Sequence, residues 1–224
     1  NKKDIDAADG ITSAMRKRLE LSEGSLIKMA AAVRSLAAFP DPVGEVAKSW
    51  TREDGLKISK VRTPIGVIAC IFESRPNVII DVASICIKSG NAVIVRGGKE
   101  AIRSNTVLMA LIRKALESVG LPVDAVQQLE DRRYEAINEL VQLEEYVDIV
   151  IPRGREELIR AVLAHARMPV IRHVRGLCHA YIDKGADVAK AIKIVVNAKT
   201  SNPAACNSIE TLLVHKDIAD RVMP

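Results

Sequence analysis

Residues 66–95 decide the fold: they read GVIACIFESRPNVIIDVASICIKSGNAVIV. Gly66–Phe72 is a continuous apolar run, of the kind that lies buried on both faces in a parallel sheet. A helix is predicted from about Asn77 to Lys88, and Ser89–Asn91 ends it before a second strand, Ala92–Val95. This order of strand, helix and strand predicts one crossover of a parallel sheet.

The same alternation continues along the chain and predicts a doubly wound α/β sheet. The predicted elements after Val95 are a helix ended by Gly120, strand Ala125–Leu129, helix Tyr134–Leu143, strand Val147–Ile151 and helix Glu156–Ala166. Before Gly66 we predict two helical segments in residues 3–39 with a cap at Ser22–Ser25 and a stop at Pro40–Pro42, a polar connection Ser49–Asp54, and a strand Leu56–Arg62. After a change of pattern near Met168 we predict strands Pro169–Val174 and His179–Asp183, helix Asp187–Lys199 and strand Ser208–Val214. The change near Met168 predicts a domain boundary, with regions 1–168 and 169–224.

The composition excludes several classes of protein. With 48% hydrophobic and 27% charged residues, the 224-residue chain has the balance of a soluble globular protein, and its apolar runs are far shorter than the ~20 residues that span a bilayer. The 33 basic residues are interspersed with 28 acidic ones and there are one Trp, three Tyr and two Phe, so we expect no nucleic-acid binding. The basic excess instead suits phosphorylated small molecules. The four cysteines have no paired spacing, which indicates a reducing cytoplasm. The sequence contains neither a Cys-x-x-Cys nor a His-x-x-x-His pattern, so we expect no metal site.

The turn Arg96-Gly97-Gly98-Lys99 follows a predicted strand. It is not a P-loop, since Glu100 stands where Ser or Thr would bind magnesium, and the chain has no G-x-G-x-x-G pattern. Glycine amides and a helix N-terminus bind anions, and cations after the second strand of a dinucleotide fold favour a 2′-phosphate. The turn therefore predicts an adenosine-phosphate site, which Ser104 and Asn105 of the following helix would complete. The alternative is a tight strand-to-helix turn with solvated basic side chains.

Two further loops follow predicted strands. Pro152-Arg153-Gly154-Arg155 also combines glycine with cations, and we expect it to approach the other phosphates of the same ligand. Glu73–Asn77 connects a strand to a helix, and this connection can be its whole role. The functional alternative is a polar cluster in which Arg75 binds a carboxylate or phosphate.

Cys206 lies in a loop of small and polar residues, Asn197–Ser208, after a predicted helix. Partial exposure and the absence of bulky neighbours favour a reactive thiolate. The alternative is an inert core cysteine, which is our expectation for Cys70 and Cys86 in their apolar runs.

Together, several motifs resemble the aldehyde dehydrogenase superfamily, and within it the family that reduces γ-glutamyl phosphate, including the reductase half of bifunctional pyrroline-5-carboxylate synthases. The motifs are Phe72–Pro76, Ser89–Val93 through Arg96–Ala101, Ile151–Gly154, and Pro203–Asn207. The resemblance covers essentially the whole chain. It implies an aldehyde-dehydrogenase-like fold, in which 1–168 is a Rossmann-type NADP-binding domain with N-terminal helices and 169–224 is the N-terminal part of a catalytic domain.

The activity implied by the resemblance is NADPH-dependent reduction of γ-glutamyl phosphate to glutamate 5-semialdehyde in proline biosynthesis. Cys206 matches the family nucleophile and would form a thioester, with Asn207 beside it. The backbone N–H of Cys206 is the expected oxyanion donor, with Ser74 or Asn77 as a side-chain contribution. The resemblance further implies a cytoplasmic homo-oligomer, possible association with glutamate 5-kinase, no membrane and no nucleic acid.

The chain departs from hydrolytic aldehyde dehydrogenases. These enzymes carry a glutamate about 34 residues before the cysteine, whereas Arg172–His179 has no carboxylate. We therefore expect that water is not the acyl acceptor. The family also continues beyond the position of Pro224. Two alternatives remain open here: another acyl-phosphate-reducing or aldehyde-oxidising member of the superfamily, and a non-catalytic dinucleotide-binding or interaction domain.

Overall fold

The computed structural model describes residues 1–172, 176–203 and 205–223. The chain divides into two compact units, Asn1–Arg172 and His173–Pro224. The helices of the described residues are α1 (Lys2–Ala7), α2 (Ser13–Leu19), α3 (Glu23–Ala38), α4 (Asn77–Lys88), α5 (Ile102–Ser118), α6 (Tyr134–Leu140), α7 (Glu156–His165), α8 (Val188–Thr200) and α9 (Ala219–Val222). The strands are β1 (Val46–Thr51), β2 (Lys57–Val61), β3 (Val67–Phe72), β4 (Ala92–Arg96), β5 (Val126–Gln128), β6 (Ile149–Arg153), β7 (His179–Ile182) and β8 (Thr211–Val214).

Four strands of the first unit form one parallel sheet in the order β5-β4-β3-β6. Alternate side chains of β3 point to opposite faces. Cys70 and Phe72 belong to a core cluster with residues of α4 and α5. Ala69 and Ile71 belong to a second cluster with residues of α6 and α7. Helices therefore cover both faces, which confirms the predicted doubly wound α/β sheet.

Helix α4 confirms the prediction at both ends. Gly90, with φ +72°, follows its last turn, and this left-handed conformation favours glycine. The buried side chain of Asn91 then accepts hydrogen bonds from the N–H groups of Ile65 and Gly66, at 2.6 and 2.9 Å. These contacts fix the start of β3 beside the start of β4.

The parallel register brings the ends of three strands to one edge. Ile71 of β3 lies opposite Arg96 of β4, and Phe72 lies opposite Arg153 of β6. The loops that leave β3, β4 and β6 therefore begin side by side, at the edge where ligands of open α/β sheets bind.

The N-terminal segment differs from the prediction in two places. It forms three helices, because Gly10 adopts a φ of +72° between α1 and α2. The predicted cap is confirmed, since the Ser22 hydroxyl accepts from the N–H of Ser25 at 3.2 Å. The prediction of a polar connection over Ser49–Asp54 is wrong in its first three residues. Ser49–Thr51 belong to β1, which pairs antiparallel with β2. Every residue of β1 is exposed, so the strand has no buried face to produce an alternating pattern.

The second unit contains a small parallel pair, β7 and β8, joined through α8. Helix α8 confirms the prediction, and the Asp187 side chain caps it by accepting from the N–H of Lys190 at 3.0 Å. The predicted strand Pro169–Val174 is reduced to an isolated bridge between Val170 and Val150, and its last residues, 173 and 174, lie outside the described residues. None of the described helices has the length and hydropathy needed to cross a membrane.

Candidate active site

The glycine turn after β4 lies against a buried amide. A Cβ atom at Gly97 would stand 2.2 Å from Nδ2 of Asn105 and 3.1 Å from the Phe72 ring, so a larger residue does not fit. Asn105 is 1% exposed, and neither its amide nitrogen nor its amide oxygen has a hydrogen-bond partner among the described residues. An unsatisfied buried polar group costs about 1–3 kcal/mol. The pairing of a close backbone turn with an unpartnered amide fits a site that a polar ligand completes.

Ser74 ties the loop after β3 to the loop after β4. Its backbone has a φ of +43°, a left-handed conformation that is uncommon for a residue with a Cβ, and its side chain is buried. The N–H of Ser74 donates to Oε1 of Glu100 at 2.8 Å, and its hydroxyl donates to the same oxygen. The hydroxyl predicted as an oxyanion donor is therefore engaged with a carboxylate.

Glu73 ties the same loop to the loop after β6. Its Oε2 accepts from the N–H of Arg155 at 3.0 Å and lies 3.6 Å from Nε of the same residue. A Cβ at Gly154 would stand 2.9 Å from the Glu73 carboxyl carbon. Glycine at this position therefore lets a carboxylate of the chain reach the N-terminus of α7, where the sequence predicted a cofactor phosphate.

Arg96 is held by backbone carbonyls. Its guanidinium donates to the carbonyl oxygens of Arg132 at 3.0 Å and Gly97 at 3.3 Å. Burial lowers the pKa of Arg96, and the nearby Glu100 opposes this shift. Because an arginine stays protonated in proteins, this end of β4 carries a fixed positive charge. Lys99 adds a second, exposed cation.

The N-terminus of α5 is already occupied by a carboxylate. Asp4, which is 3% exposed, accepts from the N–H groups of Arg103 and Ser104 at 3.2 and 2.7 Å, and from the Ser104 hydroxyl at 2.6 Å. Asn1 also donates to the Ser104 hydroxyl oxygen, at 3.0 Å. The sequence prediction that this helix end receives a phosphate did not foresee Asp4. In this structure Ser104 binds α1, and a cofactor contact of Ser104 stays a prediction.

The remaining predicted residues of the first unit lie around the same edge. Asn77 donates to Asp81 within α4 at 3.0 Å, and Arg75 is exposed. Pro152 is buried, whereas Arg153 is exposed and lines an apolar cleft of about 660 Å³ beside α4.

Cys70 and Cys86 line the same cleft as Arg153, yet both are buried, as predicted for core cysteines. Burial raises the pKa of Cys70 to about 12 and that of Cys86 to about 11. Both thiols therefore stay protonated at neutral pH, which excludes them as nucleophiles.

The second unit carries Cys206, which is exposed, in the loop between α8 and β8. Lys199 closes this loop by donating to the carbonyl oxygen of Ile209 at 2.9 Å, and the Ser208 hydroxyl donates to that of Ala198 at 3.3 Å. Asn207 is exposed beside Cys206. The predicted motif also includes residue 204, which lies outside the described residues.

The structure thus gathers the predicted residues into two groups. One lies at the edge of the parallel sheet and includes Ser74, the 96–99 turn and Gly154; the other is the Cys206 loop of the second unit. Sequence reasoning missed Asp4, Glu73 and Glu100 as acceptors for these loops. Glu73 and Glu100 each gave a signal, because Glu73 belongs to the predicted polar cluster 73–77 and Glu100 directly follows the glycine turn.

No group of three or more His, Cys, Asp or Glu side chains in the described ranges could hold a metal ion.

Comparison with known proteins shows which family this chain resembles in sequence and structure. The model of the aldehyde dehydrogenase family matches residues 2–224. The chain is 53% identical to the γ-glutamyl phosphate reductase of Nitratidesulfovibrio vulgaris and 50% identical to that of Xanthomonas campestris, in each case over 100% of this chain, and over 54% and 55% of those proteins. The crystal structure of γ-glutamyl phosphate reductase from Thermotoga maritima matches with a TM-score of 0.91 at 40% identity, over 100% of this chain and 54% of that one. The fold is therefore aldehyde-dehydrogenase-like, and the chain spans about half the length of the relatives it matches.

Proposed function

Since the chain belongs to the aldehyde dehydrogenase family, we propose that it forms the cofactor-binding and thiol-bearing part of an enzyme that reduces γ-glutamyl phosphate with NADPH. The product is glutamate 5-semialdehyde, for proline biosynthesis. Homo-oligomerisation, a cytoplasmic location and association with glutamate 5-kinase belong to the same proposal. The names of the relatives at 50–53% identity support the substrate.

The glycine turn between Arg96 and Lys99, at the edge where the loops after β3, β4 and β6 begin, is the observation that carries the cofactor part of the proposal. A dinucleotide laid over this turn would lie against the backbone of its two glycines. Arg96 and Lys99 would bind the 2′-phosphate, and Pro152–Gly154 would lie near the rest of the cofactor. When bound, NADPH supplies the hydride that reduces the acyl group to the aldehyde.

Cys206 is the acyl acceptor of the proposal. Its thiolate attacks the carbonyl carbon of the acyl phosphate, the C–O bond to the phosphoryl group breaks, and phosphate leaves with the electron pair. The chain then holds the glutamyl group as a thioester. Exposure of Cys206 in a loop of small residues supports this role, and the backbone N–H of Cys206 is the proposed oxyanion donor.

The thioester is protected from water because the chain lacks a carboxylate between Arg172 and His179. General-base assistance contributes about 10²–10⁴-fold to such a step. Without it, hydrolysis of the acyl-enzyme is slow and reduction is the productive path. Substrate contacts from Arg75 and Asn77 complete the proposal.

The reverse reaction tests this function. The full-length gene product receives pyrroline-5-carboxylate, which equilibrates with glutamate 5-semialdehyde, and NADP⁺, with or without phosphate. We expect NADPH to form only when phosphate is present, because phosphate must release the acyl group from the thiol. Rapid formation of glutamate without phosphate would contradict the proposal.

The Cys206→Ala variant tests the nucleophile in the same assay. We expect turnover to disappear while NADPH binding, measured by fluorescence, stays unchanged, because Cys206 belongs to the second unit and the proposed cofactor residues to the first. A Cys206→Ala enzyme with a near-normal rate would show that another group accepts the acyl chain. Loss of both turnover and NADPH binding would count against the assignment of the nucleophile to the second unit and of cofactor binding to the first.

A further inference from the structure

Cys178 is a second thiol in the unit that carries Cys206. It is half-buried immediately before β7, and its Sγ lies 3.6 Å from the backbone carbonyl oxygen of Cys206, to which the thiol donates. The carbonyl oxygen of Cys178 accepts from the N–H groups of Glu210 and Thr211, at 2.8 and 3.2 Å. Cys178 is therefore held beside the Cys206 loop at the start of β8.

The approach of these two segments is close. A Cβ added at Gly176 would stand 3.2 Å from the same carbonyl oxygen of Cys206, tighter than most Cβ contacts. A disulfide needs Cα atoms about 4.4–6.8 Å apart. The sulfur of Cys178 already contacts the backbone of Cys206, whose own side chain is exposed on a loop. Formation of a disulfide therefore requires the Cys206 side chain to turn toward Cys178.

We propose that Cys178 is the resolving thiol for Cys206, so that peroxide converts the two into a reversible disulfide. The proposal rests on the proposed function for the reactivity of Cys206. The Cys206 thiolate attacks one oxygen of hydrogen peroxide, the O–O bond breaks, and Cys206 sulfenic acid and hydroxide form. Cys178 then attacks the sulfenic sulfur, the S–O bond breaks, and the departing hydroxide takes up the Cys178 proton as water. The two thiols lose two electrons in total, and peroxide is reduced to two molecules of water.

The consequence is protection of the nucleophile. A lone cysteine sulfenic acid reacts with more peroxide to sulfinic acid, which thiol reductants do not reverse, whereas a disulfide is restored to two thiols. Cys70 and Cys86 are no substitutes for Cys178, because both belong to the buried core of the first unit.

The experiment treats the full-length gene product with hydrogen peroxide and compares it with its Cys178→Ser variant. In the wild-type protein we expect a monomer about 2 Da lighter, a cross-linked peptide that joins Cys178 to Cys206, and nearly complete recovery of activity with dithiothreitol. In the variant we expect a sulfenic acid at Cys206 that dimedone traps, then a gain of about 32 Da at that residue, with less than about a tenth of the activity recovered.

Two results would overturn the proposal: the absence of the Cys178–Cys206 peptide from the oxidised wild-type protein, or equal recovery of wild type and variant. Peptide mapping does not depend on turnover, so it remains informative if Cys206→Ala disproves the proposed function. Should Cys178→Ser fail to fold, dibromobimane, which bridges only neighbouring thiols, gives a second test in the wild-type protein. We expect a fluorescent adduct on Cys178 and Cys206, and an adduct confined to single cysteines would again contradict the proposal.

Discussion

Glu100 shows how one side chain fixes two loops of the candidate site. Its carboxylate belongs to the loop after β4 and accepts both the N–H and the hydroxyl of Ser74, which follows β3. A serine at φ +43° costs free energy unless its surroundings hold it. The two donations to Glu100 supply that support and tie the loop after β3 to the loop after β4.

Replacement of Glu100 tests this interpretation. We expect Glu100→Ala to lower the free energy of unfolding by about 1–3 kcal/mol, since two buried donors lose their acceptor. Glu100→Gln should recover most of that loss, because the amide oxygen still accepts from Ser74. Urea denaturation measures both, with Glu117→Ala, at an exposed position of α5, as the matched control. Equal losses for Glu100→Ala and Glu117→Ala would show that the Ser74 contact contributes nothing.

The cofactor preference also belongs to single residues. We expect the double variant Arg96→Ala, Lys99→Ala to bind NADPH about tenfold to a hundredfold more weakly, because a charge-assisted contact to the 2′-phosphate contributes about 1.5–3 kcal/mol. NADH has no 2′-phosphate, so its affinity should change little. Fluorescence titration measures the affinity of each protein for NADPH and for NADH.

Arg160→Ala is the control for this charge change, since Arg160 pairs with Glu156 on the exposed surface of α7. Its affinities should equal those of the wild-type protein. If the double variant keeps the wild-type ratio of NADPH to NADH affinity, Arg96 and Lys99 do not read the 2′-phosphate.

At the scale of elements, α1 depends on a contact with α5. Six residues are too few for a helix to be stable alone in water. The carboxylate of Asp4 satisfies the N-terminus of α5, and Ala8 and Leu19 pack with Ala101 in a small cluster. Helix α1 is therefore stabilised by capping another helix, about 100 residues away in the sequence.

We expect Asp4→Ala to destabilise the first unit by about 1.5–3 kcal/mol, because a charged acceptor of three hydrogen bonds is lost from a buried position. Amide hydrogen exchange should increase in α1 and in the first turn of α5. Asp6→Ala, two residues away in α1 and exposed, is the control and should leave both unchanged. Unchanged protection of α5 in Asp4→Ala would contradict the capping role.

At the scale of the whole molecule, the buried thiols make stability depend on alkaline pH. The pKa of Cys70 is raised from 9.0 to about 12, so above pH 9 the unfolded chain loses this proton while the folded chain keeps it. The unfolded state then binds fewer protons, and the free energy of unfolding falls as pH rises. The stabilisation by the protonated thiol is fully present below pH 9 and is lost between pH 9 and about 12.

Cys70→Ala isolates this contribution. Between pH 9 and 11 the wild-type protein should lose about 1.4 kcal/mol per pH unit more than the variant does, which is the free energy of one proton per pH unit. Denaturant unfolding at several pH values measures the slopes. Parallel slopes for wild type and Cys70→Ala would show that the thiol ionises equally in both states. Cys206→Ala serves as the control, since its thiol is exposed.

The sequence by itself determined the parallel sheet and its helices, because these follow from local signals. The apolar run Gly66–Phe72 and the periodicity of Asn77–Lys88 predict their elements without reference to distant residues, and the structure confirms both. The motifs of the sequence also predicted membership of the aldehyde dehydrogenase family, and the match of the family model to residues 2–224 confirms it. The exposed strand β1 escaped prediction because an element with no buried face leaves no hydrophobic pattern.

Only the tertiary structure decided which groups face one another at the sheet edge. Asp4 and Ser104 are 100 positions apart, and Glu73 and Arg155 are 82 apart, so no local pattern joins them. These carboxylates occupy helix N-termini that the sequence assigned to phosphates, since an isolated helix end attracts any anion and only the fold determines which one reaches it. The contact of the Cys178 thiol with the backbone carbonyl of Cys206 arises in the same way, because pairing of β7 with β8 brings together segments 28 residues apart.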